Sequence, residues 1–295
     1  MSNMIIVVGD TAMDVVARHA GPIVHGGDSR ARISVTTGGA GANTAAWLAF
    51  CGASTVLVAR VGDDVAGRQA LEELTTAGVR CAFSFDTEAS TGCVVVLVDG
   101  HGQRSMLPDR GAGKRLAPGD LDPDLLAEAR HLHLSGYVLL DDSSRDAGLA
   151  MLAAAREAGL TTSVDPQSAG LITDPAGFVA ALAGVDLLLP NLDELAVLTG
   201  SRDPAGAAGL LDTFGAVAVT MGPAGASWVD RSGMTSVPAV PSSCVDSTGA
   251  GDAFDAGLLT AWLGGAPVAE RLEAGVRLGA LAVGQVGAQP PVSRR

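Results

Sequence analysis

The feature that most limits the fold of this chain is a repeated alternation of short apolar runs with helix-like segments. Residues 4–9 form an uninterrupted apolar run that ends in Gly9-Asp10, which is typical of a strand buried on both faces. Residues 38–52 follow as a glycine-rich helix start and a helical body that Gly52 ends. Further strands are predicted at 55–60, 131–134, 161–164, 186–189 and 217–220, with helices at 65–77, 145–158 and 192–198. This pattern predicts an α/β fold in which helices flank a mostly parallel central sheet.

Two zones interrupt the alternation, because they contain strand-like runs with no helix between them. These zones cover residues 23–36 and 81–106, and the clearest run within them is 93–98. Hairpins at two separate places can pair into a small antiparallel sheet outside the main one. We therefore expect residues 1–295 to form a single domain with a lid, whose strands come from about 20–37 and 81–108.

Composition excludes several classes of partner. The chain has 19 basic and 32 acidic residues and a net charge of −13, whereas nucleic acids and anionic membrane surfaces require basic patches. We expect neither partner.

Cysteine spacing suits reduced thiols better than a disulfide framework or a zinc site; the four cysteines are Cys51, Cys81, Cys93 and Cys244. The N-terminus resembles no signal peptide, and no apolar stretch is long enough to span a bilayer. These features predict a cytoplasmic protein.

The segment from Gly249 to Asp252 carries the clearest chemical signal. The sequence Gly249-Ala250-Gly251-Asp252 precedes a long Ala- and Leu-rich helical pattern. Glycines at a helix start expose backbone N–H groups, which together with the helix dipole form an anion site. A carboxylate at such a site is expected if it takes the proton of a substrate hydroxyl group while the oxygen of that group attacks the phosphate bound beside it. The alternative interpretation is an acid that only caps the helix or favours its dipole.

The sequence around this segment resembles the ribokinase-like carbohydrate kinases of the phosphofructokinase-B family. Residues 246–254, Asp-Ser-Thr-Gly-Ala-Gly-Asp-Ala-Phe, match the C-terminal signature of that family. Residues 38–45, Gly-Gly-Ala-Gly-Ala-Asn-Thr-Ala, together with residues 61–67, look like its N-terminal signature. The resemblance extends over almost the whole chain. It implies a ribokinase-like three-layer α/β fold with a β-sheet lid, the use of ATP and Mg²⁺, and in many members a monovalent cation such as K⁺.

The resemblance also implies roles for individual residues. Asp252 falls on the catalytic base of the family, and Gly249, Ala250 and Gly251 fall on its anion hole. The positions that match contacts to the sugar are Asp14, Gly38, Gly39 and Asn43. The positions that match the nucleotide site are Asn191, Thr220, Gly222 and Gly225. Glu194 corresponds to a residue that organises Mg²⁺ through water, and Asp246 and Thr248 correspond to the monovalent-cation loop. Read without the resemblance, these residues are also compatible with caps, turns and solvated loops.

Two departures leave the substrate open. Gly113 stands where many members of the family have Asn, and residues 165–168, Asp-Pro-Gln-Ser, replace a common Asp-Pro-Asn-x-Arg run. We expect an ATP-dependent kinase that acts on a ribose-like or hexose sugar, and a homodimer through the lid is possible in this family. The alternatives are a nucleoside kinase, in which Phe83, Phe85 or Tyr137 stacks on the base, and a catalytically silent protein that binds sugar and nucleotide.

Overall fold

The computed structural model describes residues 4–100 and 104–291. The strands in this part of the chain are β1 (Met4–Val8), β2 (Ala12–His19), β3 (Ala31–Gly38), β4 (Thr55–Gly62), β5 (Arg80–Asp86), β6 (Gly92–Val98), β7 (Arg104–Asp109), β8 (Ala129–Ser135), β9 (Thr161–Asp165), β10 (Leu187–Leu188), β11 (Ala216–Thr220), β12 (Ala226–Asp230) and β13 (Gly233–Val237). The α-helices are α1 (Ala40–Phe50), α2 (Val65–Thr76), α3 (Pro123–Glu128), α4 (Asp142–Glu157), α5 (Pro175–Ala181), α6 (Leu192–Thr199), α7 (Ala250–Leu263) and α8 (Val268–Val283).

Nine of these strands form the main sheet, in the order β13-β12-β11-β10-β9-β8-β1-β4-β5. The strands from β11 to β5 pair in parallel, as the alternation predicted. The β12–β13 hairpin adds two antiparallel strands at one edge. The sequence did not indicate this hairpin, because its turn and second strand are polar and exposed rather than a continuous apolar run.

Side chains on the two faces of β1 enter two separate hydrophobic layers. Ile6 and Val8 belong to the layer that α3, α4 and α6 cover, whereas Ile5 and Val7 belong to the layer that α1, α7 and α8 cover. All four side chains are buried almost completely. A central strand that is apolar on both faces therefore produces the three-layer arrangement that the resemblance implied.

A second, four-stranded sheet has the order β3-β2-β6-β7, and we call it the lid sheet. It differs from the expected lid in three respects. Its strand β2 begins at Ala12, before the predicted zone, and residues 20–30 form no strand. The strand β5, which we expected in the lid, instead pairs in parallel with β4 at the edge of the main sheet, where Cys81 and Phe83 pack against the core. The central pair of the lid sheet, β2 and β6, is parallel rather than antiparallel.

Polar residues gather where the parallel strands of the main sheet end. Asp10 follows β1, Asp165 ends β9, Asn191 follows β10 and Thr220 ends β11. Ligands of open α/β sheets bind outside these carboxyl ends, so the topology marks this edge as the place for a site. Within the described ranges, no helix combines the length and the apolar character needed to cross a membrane.

Candidate active site

The first turn of α7 contains the glycine-rich segment. Gly249 precedes the helix with φ of 74°, and a Cβ at this position would overlap the carbonyl oxygen of Ala288, so the fold itself requires glycine here. At Gly251 a Cβ would meet no atom within 4 Å. The fold therefore does not explain Gly251, which is exposed. Its missing side chain leaves the first N–H groups of α7 open to an anionic ligand.

The carboxyl group of Asp252 points away from the helix cap and towards α1. Asn43 Nδ2 donates a hydrogen bond to Asp252 Oδ2 at 3.0 Å, and Thr44 Oγ1 donates to Oδ1 at 3.5 Å. Asp252 makes no capping hydrogen bond in its own helix, so the capping part of the alternative is wrong, whereas its position as an acid in the first turn of α7 still suits the helix dipole. Burial, against the lowering effect of the bond from Asn43 and with the added charge of Asp10, raises the pKa of Asp252 to about 7. A buried carboxyl group with a pKa near 7 suits a general base.

Three further buried carboxyl groups, Asp165, Asp255 and Glu194, surround this position. They are 7%, 1% and 2% exposed. Burial raises the pKa of Asp165 and Asp255 well above the usual range, and repulsion among the neighbouring carboxylates adds to the effect. Burial likewise raises the pKa of Glu194 to about 7. The site thus gathers acidic groups that favour the protonated form, and a bound cation would favour their ionised form.

Gln167 connects two of these acids. Its side-chain amide donates to Asp165 Oδ2 at 2.7 Å, and its backbone N–H donates to Asp165 Oδ1 at 2.9 Å. The Gln167 amide also lies close enough to Asp252 to lower the pKa of that carboxyl group. Among the described residues other than glycine, Gln167 is the one with a positive φ, 69°. Gln167 stands where the Asp-Pro-Asn-x-Arg run has Asn, so the amide beside Asp252 is kept in this strained conformation, whereas Ala169 stands at the position of the Arg.

A cavity of about 350 Å³ lies between the lid sheet and the loop that precedes α7. Asp14 lines it, as expected for a contact to sugar hydroxyls, and burial followed by the charge of Asp10 raises the pKa of Asp14 to about 6. Gly38 and Gly39 shape the wall behind Asp14: a Cβ at Gly38 would overlap the Asp14 carboxylate, and Gly39 has φ of 97°. Asn43 does not line this cavity: its Nδ2 is bonded to Asp252, and its Oδ1 is buried with no hydrogen-bond partner among the described residues.

A larger cavity, of about 620 Å³, lies on the other side of the same loop. Thr220, Gly222 and Gly225 line it together with Ala250 and Gly251 of α7. Gly225 has φ of 98°, and a Cβ there would overlap the carbonyl oxygen of Val237, so this glycine is needed to form the cavity wall. The structure therefore brings three of the four predicted nucleotide residues to the N-terminus of α7.

Asn191, the fourth, instead forms a capping box with Glu194. Its Oδ1 accepts hydrogen bonds from the N–H groups of Asp193 and Glu194, and its Nδ2 donates to Glu194 Oε1 at 2.7 Å. Glu194 Oε2 accepts from the N–H group of Asn191 at 2.8 Å. Both Glu194 oxygens thus have a protein donor, which fits contact with a metal ion through water better than direct coordination.

The predicted cation loop is joined to the C-terminal part of the chain. Asp246 Oδ1 accepts hydrogen bonds from the N–H and hydroxyl groups of Thr248 at 2.9 and 2.7 Å, and Oδ2 accepts from the Gly287 N–H group at 3.2 Å. Trp47 Nε1 donates to the carbonyl oxygen of Ala288 at 2.9 Å and so connects the same segment to α1. These contacts place Asp246 and Thr248 against the C-terminal segment around Gly287.

The aromatic residues considered for base stacking lie elsewhere. Phe83 packs on the core and Phe85 is exposed, both on the edge strand β5. Tyr137 lies closer to Asp252. Burial, followed by the charges of Asp10 and Asp252, raises the pKa of Tyr137 to about 12. It lines neither cavity, and the guanidinium of Arg110 lies over its ring at 5.9 Å.

Sequence reasoning missed several residues of this site, namely Asp10, Thr44, Asp165, Gln167 and Asp255. Asp10 and Asp165 do carry a signal, since each stands at the end of an apolar strand. Asp255 lies one turn after Asp252 on the same helix, and an acid within an otherwise apolar helical stretch is unusual. Thr44 and Gln167 show no such sign, because their importance comes from a contact across the fold.

Comparison with solved structures identifies the fold. The structure of Arabidopsis thaliana ribokinase complexed with ribose and ATP matches this one with a TM-score of 0.82, at 24% identity, over 98% of this chain and 96% of that chain. The fold is therefore the ribokinase-like α/β fold. The sequence matches the pfkB family of carbohydrate kinases over residues 2–295, and the chain belongs to this family. The expected enzyme class, a carbohydrate kinase, is thereby confirmed.

Two characterised relatives share about a third of the sequence. The ATP-dependent ribose-1-phosphate kinase of Halopiger xanaduensis is 34% identical over 253 residues, which cover 85% of this chain and 82% of the relative. A fructokinase of Klebsiella pneumoniae is 34% identical over 270 residues, which cover 88% of this chain and 84% of the relative. By name, one relative acts on a sugar phosphate and the other on a free sugar.

Proposed function

We propose that this protein transfers the γ-phosphoryl group of ATP to a hydroxyl group of a sugar, with Asp252 as the general base. The observation that carries the proposal is the position of Asp252. It lies at the N-terminus of α7, directly after a segment that lines two cavities: Asp246 and Thr248 line the cavity under the lid sheet, and Ala250 and Gly251 line the other. A base between an acceptor cavity and an anion-binding helix start is the arrangement that phosphoryl transfer requires.

The reaction follows from this arrangement. Asp14 accepts a hydrogen bond from a sugar hydroxyl and orients the ring in the cavity under the lid sheet. Asp252 removes the proton of the reacting hydroxyl group, whose oxygen forms a bond to the γ-phosphorus while the bond from that phosphorus to the β-phosphate oxygen breaks. ADP leaves, and the proton stays on Asp252. The N–H groups of Ala250 and Gly251 stabilise the negative charge on the phosphoryl oxygens.

Asn43 holds the base in position. Its hydrogen bond to Asp252 Oδ2 favours the ionised carboxylate and opposes the effect of burial. Of the two hydrogen bonds that α1 donates to Asp252, the one from Thr44 to Oδ1, at 3.5 Å, is the weaker. In this proposal Asn43 acts through Asp252 instead of contacting the sugar.

The residues present also fit Mg²⁺. Glu194 is the residue that would hold the ion, through water, because its two oxygens already accept hydrogen bonds from Asn191. Within residues 4–100 and 104–291, no group of three or more His, Cys, Asp or Glu side chains is arranged to hold a metal ion directly. When bound, the ion neutralises charge on the phosphates. The loop of Asp246, Thr248 and Gly287 supports a site for K⁺. A comparison of ADP release in KCl and in tetramethylammonium chloride, at equal ionic strength, tests whether K⁺ activates the enzyme.

ADP release over a panel of pentoses, hexoses, sugar phosphates and nucleosides tests the proposal. Asp252→Asn should lower kcat by roughly 10²- to 10⁴-fold while ATP binding is retained. Asp212→Asn, the same change on a side chain that is 98% exposed, is the matched control and should leave kcat unchanged. Near-normal turnover of Asp252→Asn would refute the assignment of the base. Turnover of nucleosides alone would favour the nucleoside-kinase alternative, and binding without ADP release would favour the silent protein.

A further inference from the structure

The inner face of the lid sheet carries two arginines that the reaction described above does not use. Asp14, Val16 and Arg18 alternate along β2 and line the cavity under the lid sheet. Arg32 on β3 is the antiparallel register partner of Arg18, so the two side chains leave the sheet on the same face. Arg18 is the one basic residue among the described side chains that line the cavity.

Among the residues that the structure describes, neither arginine has an ion-pair or side-chain hydrogen-bond partner. Every other arginine whose side chain the structure describes, except Arg30 in the loop before β3, donates to a carboxylate or to a backbone carbonyl oxygen. Two like charges directly opposite on an antiparallel pair destabilise the sheet. The chain has 32 acidic and 19 basic residues, yet among the described residues no carboxylate forms an ion pair with either arginine.

The carboxylates that line the same cavity do not neutralise Arg18. Asp14 is held against Gly38, and Asp246 accepts hydrogen bonds from Thr248 and Gly287, so both carboxylates are engaged with other groups. Glu73 of α2 accepts a hydrogen bond from Gln69 at 2.8 Å, and within the described residues it forms no ion pair with Arg18. The guanidinium groups of Arg18 and Arg32 are therefore available to a ligand.

We propose that Arg18 and Arg32 bind an anionic group of the acceptor, so that the substrate is a sugar that already carries a phosphate or a carboxylate. This rests on the proposed kinase function and names its substrate class. Asp14 and Arg18 are four residues apart on one strand, so their Cα atoms are about 13 Å apart. We expect the two side chains to contact opposite ends of one ligand. The hydroxyl group near Asp252 is then phosphorylated while the guanidinium groups hold the anion in bidentate hydrogen bonds.

Paired acceptors test this inference. ADP release is measured with ribose, ribose 1-phosphate and ribonate, and with fructose and fructose 6-phosphate. The wild type should show kcat/KM at least about 10-fold higher for an anionic acceptor than for its neutral parent, since a hydrogen bond to a charged group is worth roughly 10- to 100-fold in affinity. A comparison of ribose 1-phosphate with ribonate shows whether the site prefers a phosphate or a carboxylate.

Substitution then assigns the effect to the two arginines. Arg18→Gln and Arg32→Gln should each raise KM for the anionic acceptor by about 10-fold or more, and change kcat/KM for the neutral sugar less than about threefold. Arg80→Gln removes the same charge from an exposed residue, 57% accessible, on the edge strand β5 and is the matched control. Its KM values should match those of the wild type.

The outcomes separate this inference from the proposed function. A neutral sugar used as well as its anionic forms, with no change in Arg18→Gln, overturns the anion site and leaves the kinase proposal intact. If no acceptor releases ADP, the kinase proposal fails, and calorimetric binding of ribose 1-phosphate and ribose then decides the anion site. Equal affinity for the two ligands overturns it, whereas preference for ribose 1-phosphate that Arg18→Gln abolishes supports it.

Discussion

Removal of the Asn43 amide should change the pH at which the enzyme becomes active. Asn43 Nδ2 donates to Asp252 Oδ2 at 3.0 Å in a pair whose members are 5% and 7% exposed. A hydrogen bond to a charged group in such surroundings is worth about 1.5–3 kcal/mol, or about one to two units of pKa. In Asn43→Ala the pKa of Asp252 should therefore rise from about 7 to about 8–9.

The expected loss of activity follows from the ionised fraction of the base. At pH 7 about half of Asp252 is ionised in the wild type and about 1–10% in Asn43→Ala, so kcat/KM should fall roughly 5- to 50-fold. The loss should disappear as the pH approaches 9.5. Initial rates of ADP release between pH 5.5 and 9.5, at saturating ATP and low acceptor, give the profile of kcat/KM that reports this pKa.

Thr44→Val provides the graded control. The hydroxyl group of Thr44 is 3.5 Å from Asp252 Oδ1, at the limit of hydrogen bonding, so its loss should move the acid limb by less than about half a unit. A uniform fall of kcat/KM in Asn43→Ala at every pH, with an unmoved acid limb, would refute the reasoning. It would show that Asn43 contacts the sugar, as the resemblance alone implied.

The two glycines at the start of α7 should respond differently. Gly249→Ala should destabilise the fold by about 1–3 kcal/mol or more, which a lower Tm would show. Gly251→Ala should leave Tm unchanged and lower kcat. Equal effects of the two substitutions would contradict these separate roles. Asp14→Asn should raise the KM for the acceptor with little change in the KM for ATP; a change confined to ATP would contradict this. Asp252, Asp255 and their neighbours have raised pKa values. The folded chain therefore holds more protons than the unfolded chain between about pH 4 and 7. The free energy of unfolding should fall as the pH rises through this window. Chemical denaturation at pH 5 and 8 should show that Asp255→Asn reduces this fall. The outer face of the lid sheet exposes Ile33, Val35 and Leu107 by 63%, 51% and 61%. If a second copy covers this face, Leu107→Glu should shift the sedimenting species from dimer to monomer, and a wild type that sediments as a monomer would contradict it.

Part of the site could be predicted because its residues are continuous in sequence. Gly249 to Asp252 combine bare N–H groups with an acid in one helical turn, and this combination is visible without any tertiary contact. The role of Asn43 could not be predicted in this way. Its amide lies 209 residues from Asp252 in sequence, and only the packing of α1 against α7 brings the two side chains to 3.0 Å.

The sequence by itself determined the layered α/β architecture and the glycine-rich helix start. Both depend on local periodicity and on backbone groups, which short windows of residues define. Only the tertiary structure decided that β5 belongs to the main sheet, that Asn43 contacts Asp252, and that Gln167, Asp165 and Asp255 lie near that carboxyl group. Strand partners and buried carboxyl groups acquire their pairing and their pKa values from distant segments, because burial and neighbouring charges exist only once the layers have packed.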